Sequence, residues 1–209
     1  MGTRKVAAMA AGLLGLMGSI ALTGCVPAGH RVLVIGDSLP VGAAAAGLGE
    51  EHASSWTVVA VKSLGTEAGV GLARQHAVGS FDLVVVALGT NDYLDDVASY
   101  RRRIERMMGV LGSSVPVIWI NVDAGTPKLA PAAHGVNPAL AAAAADHPSL
   151  RIADWNRYVA ELDPAVRSDD QIHYTPHGYR ARAAWMEVLV HGRRLPLPPP
   201  SPRADRVPA

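Results

Sequence analysis

Four short segments of the sequence carry side chains of the types that acyl transfer requires. They are Gly36-Asp37-Ser38-Leu39, Ser63-Leu64-Gly65-Thr66, Gly89-Thr90-Asn91-Asp92 and Asp170-Gln171-Ile172-His173. Together they supply a hydroxyl, a glycine backbone amide, a carboxamide, and an imidazole with a carboxylate close before it. If the four segments meet in the folded chain, the hydroxyl can act as a nucleophile with the imidazole as its base.

The first three segments each follow a predicted strand, and the fourth precedes a predicted helix. Continuous apolar runs predict strands covered on both faces, and the stretches between them predict helices. The strands are predicted at Arg31–Ile35, Thr57–Val61, Leu83–Ala87, Val115–Ile120 and Leu150–Ala153. The helices are predicted at Val41–Glu51, Glu67–His76, Asp95–Leu111, Asn137–Asp146 and Pro176–His191. This succession indicates a parallel sheet, in which residues that follow the strands meet at one edge.

The segments resemble, in their order and spacing, the sequence blocks of the SGNH (GDSL-type) hydrolase family. Gly-Asp-Ser-Leu comes first, Gly-Thr-Asn-Asp lies midway, and Asp-x-x-His comes near the C-terminal end. The similarity extends from about Val32 to about Tyr179. It implies a flavodoxin-like, three-layer α/β/α sandwich with a five-stranded parallel sheet, and a serine esterase that needs no cofactor.

The resemblance also implies a role for each candidate site residue. Ser38 would be the nucleophile, His173 its general base, and Asp170 the carboxylate that orients the ring and stabilises the imidazolium. The oxyanion hole would combine the backbone N–H groups of Ser38 and Gly65 with the side-chain amide of Asn91. Ser38 at a strand-to-helix turn would also lie where a helix N-terminus favours negative charge.

The second segment and the flanking carboxylates leave alternatives open. Gly69 and Gly71 compete with Gly65 for the oxyanion role, and Gly65 is preferred because it comes soon after the second predicted strand. Asp37 and Asp92 flank the site, and we expect them to cap helices or close loops rather than to act as catalytic groups.

The fourth segment has two neighbours of the same residue types. The Asp-x-x-His spacing selects the second carboxylate of the pair Asp169-Asp170. His177 competes with His173 for the role of base, but Pro176 is expected to open a helix that already includes His177. The two histidines have no evident third ligand, so no metal site is predicted.

The charge balance argues against a nucleic-acid partner. The 209 residues include 19 Lys and Arg against 18 Asp and Glu, a net charge of +1. The one dense basic run, Arg101 to Arg103, is predicted to be a solvated helix face. Neither a complete dinucleotide fingerprint nor a phosphate loop is present, so no cofactor site is predicted.

The N-terminal segment has the pattern of an export signal. Arg4 and Lys5 precede an apolar stretch, Val6–Leu22, which ends in Leu22-Thr23-Gly24-Cys25. This ending resembles a bacterial lipobox, which implies lipidation of Cys25, the only cysteine of the chain. The lipid would anchor the exported protein to the outer face of the cytoplasmic membrane.

These expectations divide the chain into four parts. Residues 1–24 are predicted to be a lipoprotein signal peptide, residues 25–29 a short linker, and residues 30–194 the hydrolase domain. Residues 195–209 are rich in proline and are predicted to be an unstructured tail.

The expected substrate is a small-molecule or glycan ester of the cell envelope, attacked through an acyl-Ser38 intermediate. An envelope polysaccharide or peptidoglycan O-acetyltransferase and a catalytically silent envelope-binding module are the alternatives. Substrate choice is expected to depend on the shape of the loops around Tyr93, residues 121–128 and Trp155. The stretch 121–135, rich in Pro, Gly and Ala, is predicted to be a flap over the site.

Overall fold

A computed structural model describes residues 30–50, 55–76, 81–93 and 96–191 of the chain. The described strands are β1 (Arg31–Gly36), β2 (Ser55–Ala60), β3 (Leu83–Ala87), β4 (Val117–Ile120) and β5 (Leu150–Ala153). The described helices are α1 (Ser38–Ala45), α2 (Thr66–His76), α3 (Val97–Leu111), α4 (Ala130–Asp146), α5 (Trp155–Ala160) and α6 (Pro176–His191), with a 3-10 turn at Pro164–Val166. The predicted signal peptide, linker and tail lie outside the described residues.

The strands form one parallel sheet in the order β2-β1-β3-β4-β5. This confirms the predicted five-stranded α/β/α fold. The chain moves from β1 to one side for β2 and then crosses to the other side for β3. In such sheets the crevice at the carboxyl ends of the strands beside the crossover is the usual ligand site. Here that crevice lies between the ends of β1 and β3.

Two hydrophobic layers cover the two faces of the sheet. On one face, Leu33 and Ile35 of β1 pack in a cluster with buried residues of α2, α3 and α4. On the other face, Val32 and Val34 pack with residues of α1, α5 and α6. Successive residues of a strand point to opposite faces, so an uninterrupted apolar run is what a doubly covered strand requires.

Helix α1 begins three residues before its predicted start and is shorter than predicted. The Asp37 side chain accepts the Leu39 N–H at 2.9 Å and so caps the helix. Pro40 lies in the first turn, where its missing N–H costs no hydrogen bond. The helix ends before Gly47 and Gly49, which take positive φ angles of 99° and 89°. These left-handed conformations favour glycine and turn the chain away from the helix.

Helix α4 begins at Ala130, seven residues before the predicted start at Asn137, so part of the predicted flap is helix. The second part of the stretch 121–135 forms the first turns of this helix. Asn137 does not start the helix: its side chain accepts from the Val122 N–H and donates to the Val122 carbonyl, both at 2.9 Å. Those two bonds fix the loop after β4 to the helix.

Helix α5 and the 3-10 turn were not predicted because both are short. Each begins after an aspartate whose side chain accepts a backbone N–H: Asp154 from Arg157, and Asp163 from Ala165. Within the described ranges, none of the helices combines the length and the hydropathy that a membrane span needs.

Gly89, directly after the β3 end, provides a test of this packing. Its φ of 126° is strained for other residues, and an added Cβ would lie 2.9 Å from Val136 Cγ1 and 3.0 Å from both Tyr100 Oη and Val122 Cγ2. We expect Gly89→Ala to lower the free energy of unfolding by about 2 kcal/mol or more. In Gly71→Ala, the new Cβ meets nothing within 4 Å, so this helix substitution should raise stability by about 0.5–1 kcal/mol. Urea unfolding of both variants checks the pair, and equal destabilisation would contradict it.

Candidate active site

Ser38 is the first residue of α1 and lies at the carboxyl end of β1. The Asp37 cap accepts the Leu39 N–H, while the Ser38 N–H is among the first amides of the helix, which have no partner within it. The Ser38 hydroxyl therefore lies at the positive end of a helix and at the crossover crevice of the sheet. Both features favour negative charge on or near this hydroxyl oxygen.

His173 connects Ser38 to Asp170. Its Nε2 is 2.9 Å from the Ser38 Oγ, across 135 residues of sequence. Its Nδ1 is 2.6 Å from Asp170 Oδ2. An ionised carboxylate can only accept, so Nδ1 carries the proton and Nε2 accepts from the serine hydroxyl. The three side chains thus form a serine, imidazole and carboxylate chain of the geometry needed for nucleophilic attack.

Asp170 is held in its ionised form by donors from its own turn. The His173 N–H, the His173 ring, the Ile172 N–H and the Ser168 hydroxyl all donate to it and hold the pKa of this carboxyl well below its usual range. The carboxylate is therefore available to the ring at any pH at which His173 can act as a base.

The two alternatives in this segment lie elsewhere. Asp169 is exposed in the turn, and His177 is exposed within α6 as the sequence predicted. Thr175 caps this helix, since its Oγ1 accepts the Gly178 N–H at 3.3 Å. The structure brings His173 and Asp170, and not these neighbours, into line with Ser38.

Asn91 lies between the turn that carries Ser38 and the turn that carries Gly65. Its side-chain Nδ2 donates to the Leu64 carbonyl at 3.1 Å and to Asp37 Oδ2 at 3.4 Å. The first bond fixes the amide beside Gly65. The second bond is long and therefore weak, so this hydrogen is the one that a substrate oxygen can take.

Of the three candidate glycines, Gly65 alone precedes α2, and its carbonyl accepts the Gly69 N–H at 3.1 Å. Gly69 and Gly71 lie inside the helix, and a Cβ on Gly69 would lie 2.3 Å from Leu88 Cδ1. Gly69 therefore serves the contact between α2 and the β3 end. The Asn91 amide donates to the carbonyl of Leu64, the residue directly before Gly65, and so lies beside Gly65.

A buried carboxylate, Asp92, holds the second and third segments together. It accepts from the Thr66 N–H at 3.0 Å, from the Thr66 hydroxyl at 2.7 Å and from Arg103. The Thr66 hydroxyl also lies 2.9 Å from the buried Tyr100 hydroxyl. Asp92 therefore closes loops as predicted, but Arg103 is not merely part of a solvated face. No local sequence signal joins these residues, which come from three different elements.

Asp37 and Arg182 are two buried groups that interact through their charges. Burial raises the pKa of Asp37 to about 6, against the opposing effects of the Leu39 N–H and of the Arg182 charge. Arg182 is itself buried, with its guanidinium carbon 4.6 Å from the centre of the Trp155 ring. Trp155 is 1% exposed, so its own side chain does not line a substrate loop. Tyr93, by contrast, is 59% exposed.

A groove of about 550 Å³ runs between α1 and α6. None of Ser38, Asp170 and His173 lines this groove, which is formed by later residues of α1 and by the first turns of α6. Its lining residues are small or aromatic, with one cation and one anion: Gly42, Ala45, Ala46, Gly47, Glu50, Pro176, Tyr179 and Arg180.

Across the described part of the chain, no three His, Cys, Asp or Glu side chains group closely enough to hold a metal ion.

Comparison with known proteins finds similarity at the level of structure. No family model matches the chain, and no curated protein matches it significantly. The lipase/acylhydrolase from Enterococcus faecalis is 23% identical, with a TM-score of 0.61 over 78% of this chain and 96% of that chain. The C-terminal catalytic domain of Streptococcus pneumoniae peptidoglycan O-acetyltransferase A is 20% identical, with a TM-score of 0.59 over 77% of this chain and 92% of that domain.

A lipolytic protein of the G-D-S-L family from Veillonella parvula is also similar. It is 18% identical, with a TM-score of 0.59 over 76% of this chain and 97% of that chain. Each of the three structures matches this chain over more than nine-tenths of its own length and has the same fold. The chain therefore has the fold of the SGNH (GDSL) hydrolases.

Proposed function

We propose that this protein is a serine esterase that hydrolyses carboxylic esters through an acyl-Ser38 intermediate. The observation that carries the proposal is the alignment of Ser38, His173 and Asp170, with contacts of 2.9 and 2.6 Å. Its position at the crossover crevice of an SGNH-type fold supports the same reaction. A silent binding module would not require this alignment of three reactive groups.

In the first half of the reaction, the Ser38 Oγ attacks the ester carbonyl carbon and its proton passes to His173 Nε2. Asp170 accepts the Nδ1–H bond and stabilises the imidazolium. When the tetrahedral intermediate collapses, the bond to the alcohol oxygen breaks and His173 returns the proton to that oxygen. In the second half, His173 takes a proton from water, whose oxygen attacks the acyl carbon. The bond between that carbon and the Ser38 Oγ then breaks, His173 returns the proton to Oγ, and the acid leaves.

The carbonyl oxygen becomes an anion in both halves, and in this proposal three donors stabilise it. They are the backbone N–H groups of Ser38 and Gly65 and the Asn91 amide, which exchanges its long bond to Asp37 for the oxyanion. Loss of one such donor typically lowers the rate by about 10²–10³-fold.

Transfer of an acetyl group to an envelope glycan is the second candidate function. Its support is the similar fold of the peptidoglycan O-acetyltransferase domain. The exposure of the site favours hydrolysis, because the side chains of His173 and Asp170 are 38% and 46% exposed and water can reach the acyl carbon. Product analysis separates the two activities: acetate released to water supports the esterase, and acetyl on an added glycan supports the transferase.

The site of action in this proposal is the cell envelope. Its support is the N-terminal pattern that ends in Cys25. Acylation of this cysteine with two or more chains would give a stable anchor, since a single chain binds a membrane only marginally. The substrate would then be an ester of an envelope glycan or lipid.

We expect Ser38→Ala to lower the hydrolysis of p-nitrophenyl esters by about 10³-fold or more, because the nucleophile is lost. A series from acetyl to palmitoyl would show the preferred chain length of the parent protein. The parent should also be labelled covalently by a fluorophosphonate, and Ser38→Ala should not. Equal unfolding temperatures of the two proteins are the control, and full activity of the variant would refute the acyl-Ser38 mechanism.

Asp170→Asn should lower kcat by about 10³-fold or more, because a neutral amide neither fixes the tautomer of His173 nor stabilises its charge. Asp169→Asn is the matched control: the change is the same, one residue away, and the side chain is exposed. We expect Asp169→Asn to keep its activity within about twofold, as is usual for a surface substitution. Steady-state kinetics decide between them, and the reverse ranking would assign the carboxylate to Asp169.

Cys25→Ala should release the protein from the membrane fraction of a bacterium that processes lipoproteins. The parent should fractionate with membranes, and mass spectrometry should find acyl chains on its N-terminal peptide. Ser38→Ala serves as the control, because loss of the nucleophile leaves the anchor intact. An unmodified Cys25 in the mature parent would contradict the anchor.

A further inference from the structure

The segment that carries Asp170 and His173 is a small hairpin, residues 167–174. Arg167 and Tyr174 pair as an antiparallel bridge at its base. The Ser168 N–H donates to the His173 carbonyl at 3.0 Å, and the Gln171 N–H donates to the Ser168 carbonyl at 3.0 Å. These bonds give the hairpin its shape but do not place it relative to the sheet.

One buried carboxylate ties both strands of the hairpin to the sheet. Asp123 follows β4 and is 2% exposed. It accepts from Arg167 through two bonds, Nε to Oδ2 at 2.9 Å and Nη2 to Oδ1 at 3.0 Å. The Tyr174 hydroxyl donates to the same Oδ2 at 3.2 Å. Asp123 therefore contacts both members of the bridge at the base of the hairpin.

The groups around the Asp123 carboxylate lie in close contact with it. The Gly125 N–H donates to Asp123 Oδ1 at 2.7 Å, and a Cβ on Gly125 would lie 2.5 Å from Arg167 Nη2. Trp155 Nε1 donates to the Tyr174 hydroxyl at 2.6 Å. The Asp123 carboxylate is thus enclosed by the Arg167 guanidinium, the Gly125 N–H and the Tyr174 hydroxyl. Their bonds fix the direction of the two Asp123 oxygens.

Tyr174 directly follows His173 in the chain. The contacts of Tyr174 with Asp123 and Trp155 therefore also fix the backbone from which the His173 ring reaches Ser38. Thr126 adds a second link, since its hydroxyl donates to the Gln171 carbonyl at 2.7 Å. The placement of His173 thus depends on groups that contact neither Ser38 nor the ring itself.

We propose that Asp123 is a positioning residue, which holds hairpin 167–174 against the end of β4 and thereby sets the place of His173 over Ser38. This inference rests on the proposed esterase function for its kinetic consequence. Its geometric content, the position of the His173 ring, is independent of that function.

The kinetic test compares Asp123→Asn, Arg167→Gln and the double variant in the full chain. A misplacement of about 1 Å can cost up to about 10²-fold in rate. We therefore expect each single variant to lose about 10–100-fold in kcat, with KM changed by less than about threefold. The double variant should lose no more than the worse single variant, because the two substitutions remove the same contact between Asp123 and Arg167. Losses that multiply, losses confined to KM, or an unchanged kcat would each overturn the proposal.

Glu187→Gln is the matched control for stability. Glu187 is a buried carboxylate of α6 that accepts the Gly49 N–H at 2.6 Å, so its loss also affects a tertiary contact. We expect it to lower the unfolding temperature while keeping kcat. If Asp123→Asn does not fold, Tyr174→Phe removes only the hydroxyl bonded to Asp123 and Trp155. It should lower kcat by about 3–10-fold, the rate equivalent of one ordinary hydrogen bond.

A second readout separates failure of this inference from failure of the proposed function. NMR of histidine labelled with ¹⁵N in the full chain follows the His173 ring N–H that bonds to Asp170. Its signal should shift or broaden in Asp123→Asn and stay unchanged in Glu187→Gln. If the parent hydrolyses no ester and takes no fluorophosphonate, the proposed function fails, and the NMR comparison still decides the positioning. An identical ring signal in all three proteins would overturn it.

Discussion

The hydrogen bond between Ser38 and His173 is the interaction on which the rest of the site depends. It is 2.9 Å long and joins residues 135 positions apart. A contact of this kind needs both partners fixed to one rigid frame, since hydrogen bonds weaken steeply with distance and angle. The carboxyl edge of the parallel sheet is that frame: β1 leads into Ser38 through one residue, and the end of β4 leads to the hairpin of His173 through Asp123.

Buried aspartates connect the loops of this edge to one another. Asp37, Asp92 and Asp123 each follow a strand, and each accepts hydrogen bonds from a different chain segment or helix end. A buried carboxylate is costly unless donors satisfy its charge. Asp123 has a bidentate arginine, whereas Arg182 affects Asp37 only through its charge, and burial raises the pKa of Asp37 to about 6. The loops of this edge are thus joined by carboxylates that are buried together with their donors.

The sequence predicted the sheet well because each strand is a continuous apolar run. All five strands lie within two residues of their predicted bounds. It also predicted which residues meet, since Ser38, Asn91 and His173 stand at strand ends or before a helix. It failed where long-range contacts override local patterns. The helix predicted to begin at Asn137 begins at Ala130, because Asn137 bonds the loop after β4 and Pro138 is accommodated inside α4.

The same limit explains why the clamp of the hairpin was not predicted. Asp123 and Arg167 are 44 residues apart, and nothing in their neighbourhoods distinguishes them from surface charges. Trp155 shows the same limit: the sequence placed it among the substrate loops, yet its side chain packs against Tyr174, Trp185 and Arg182 inside the protein. Its Nε1 donates to the Tyr174 hydroxyl, so it supports the hairpin of His173 from within.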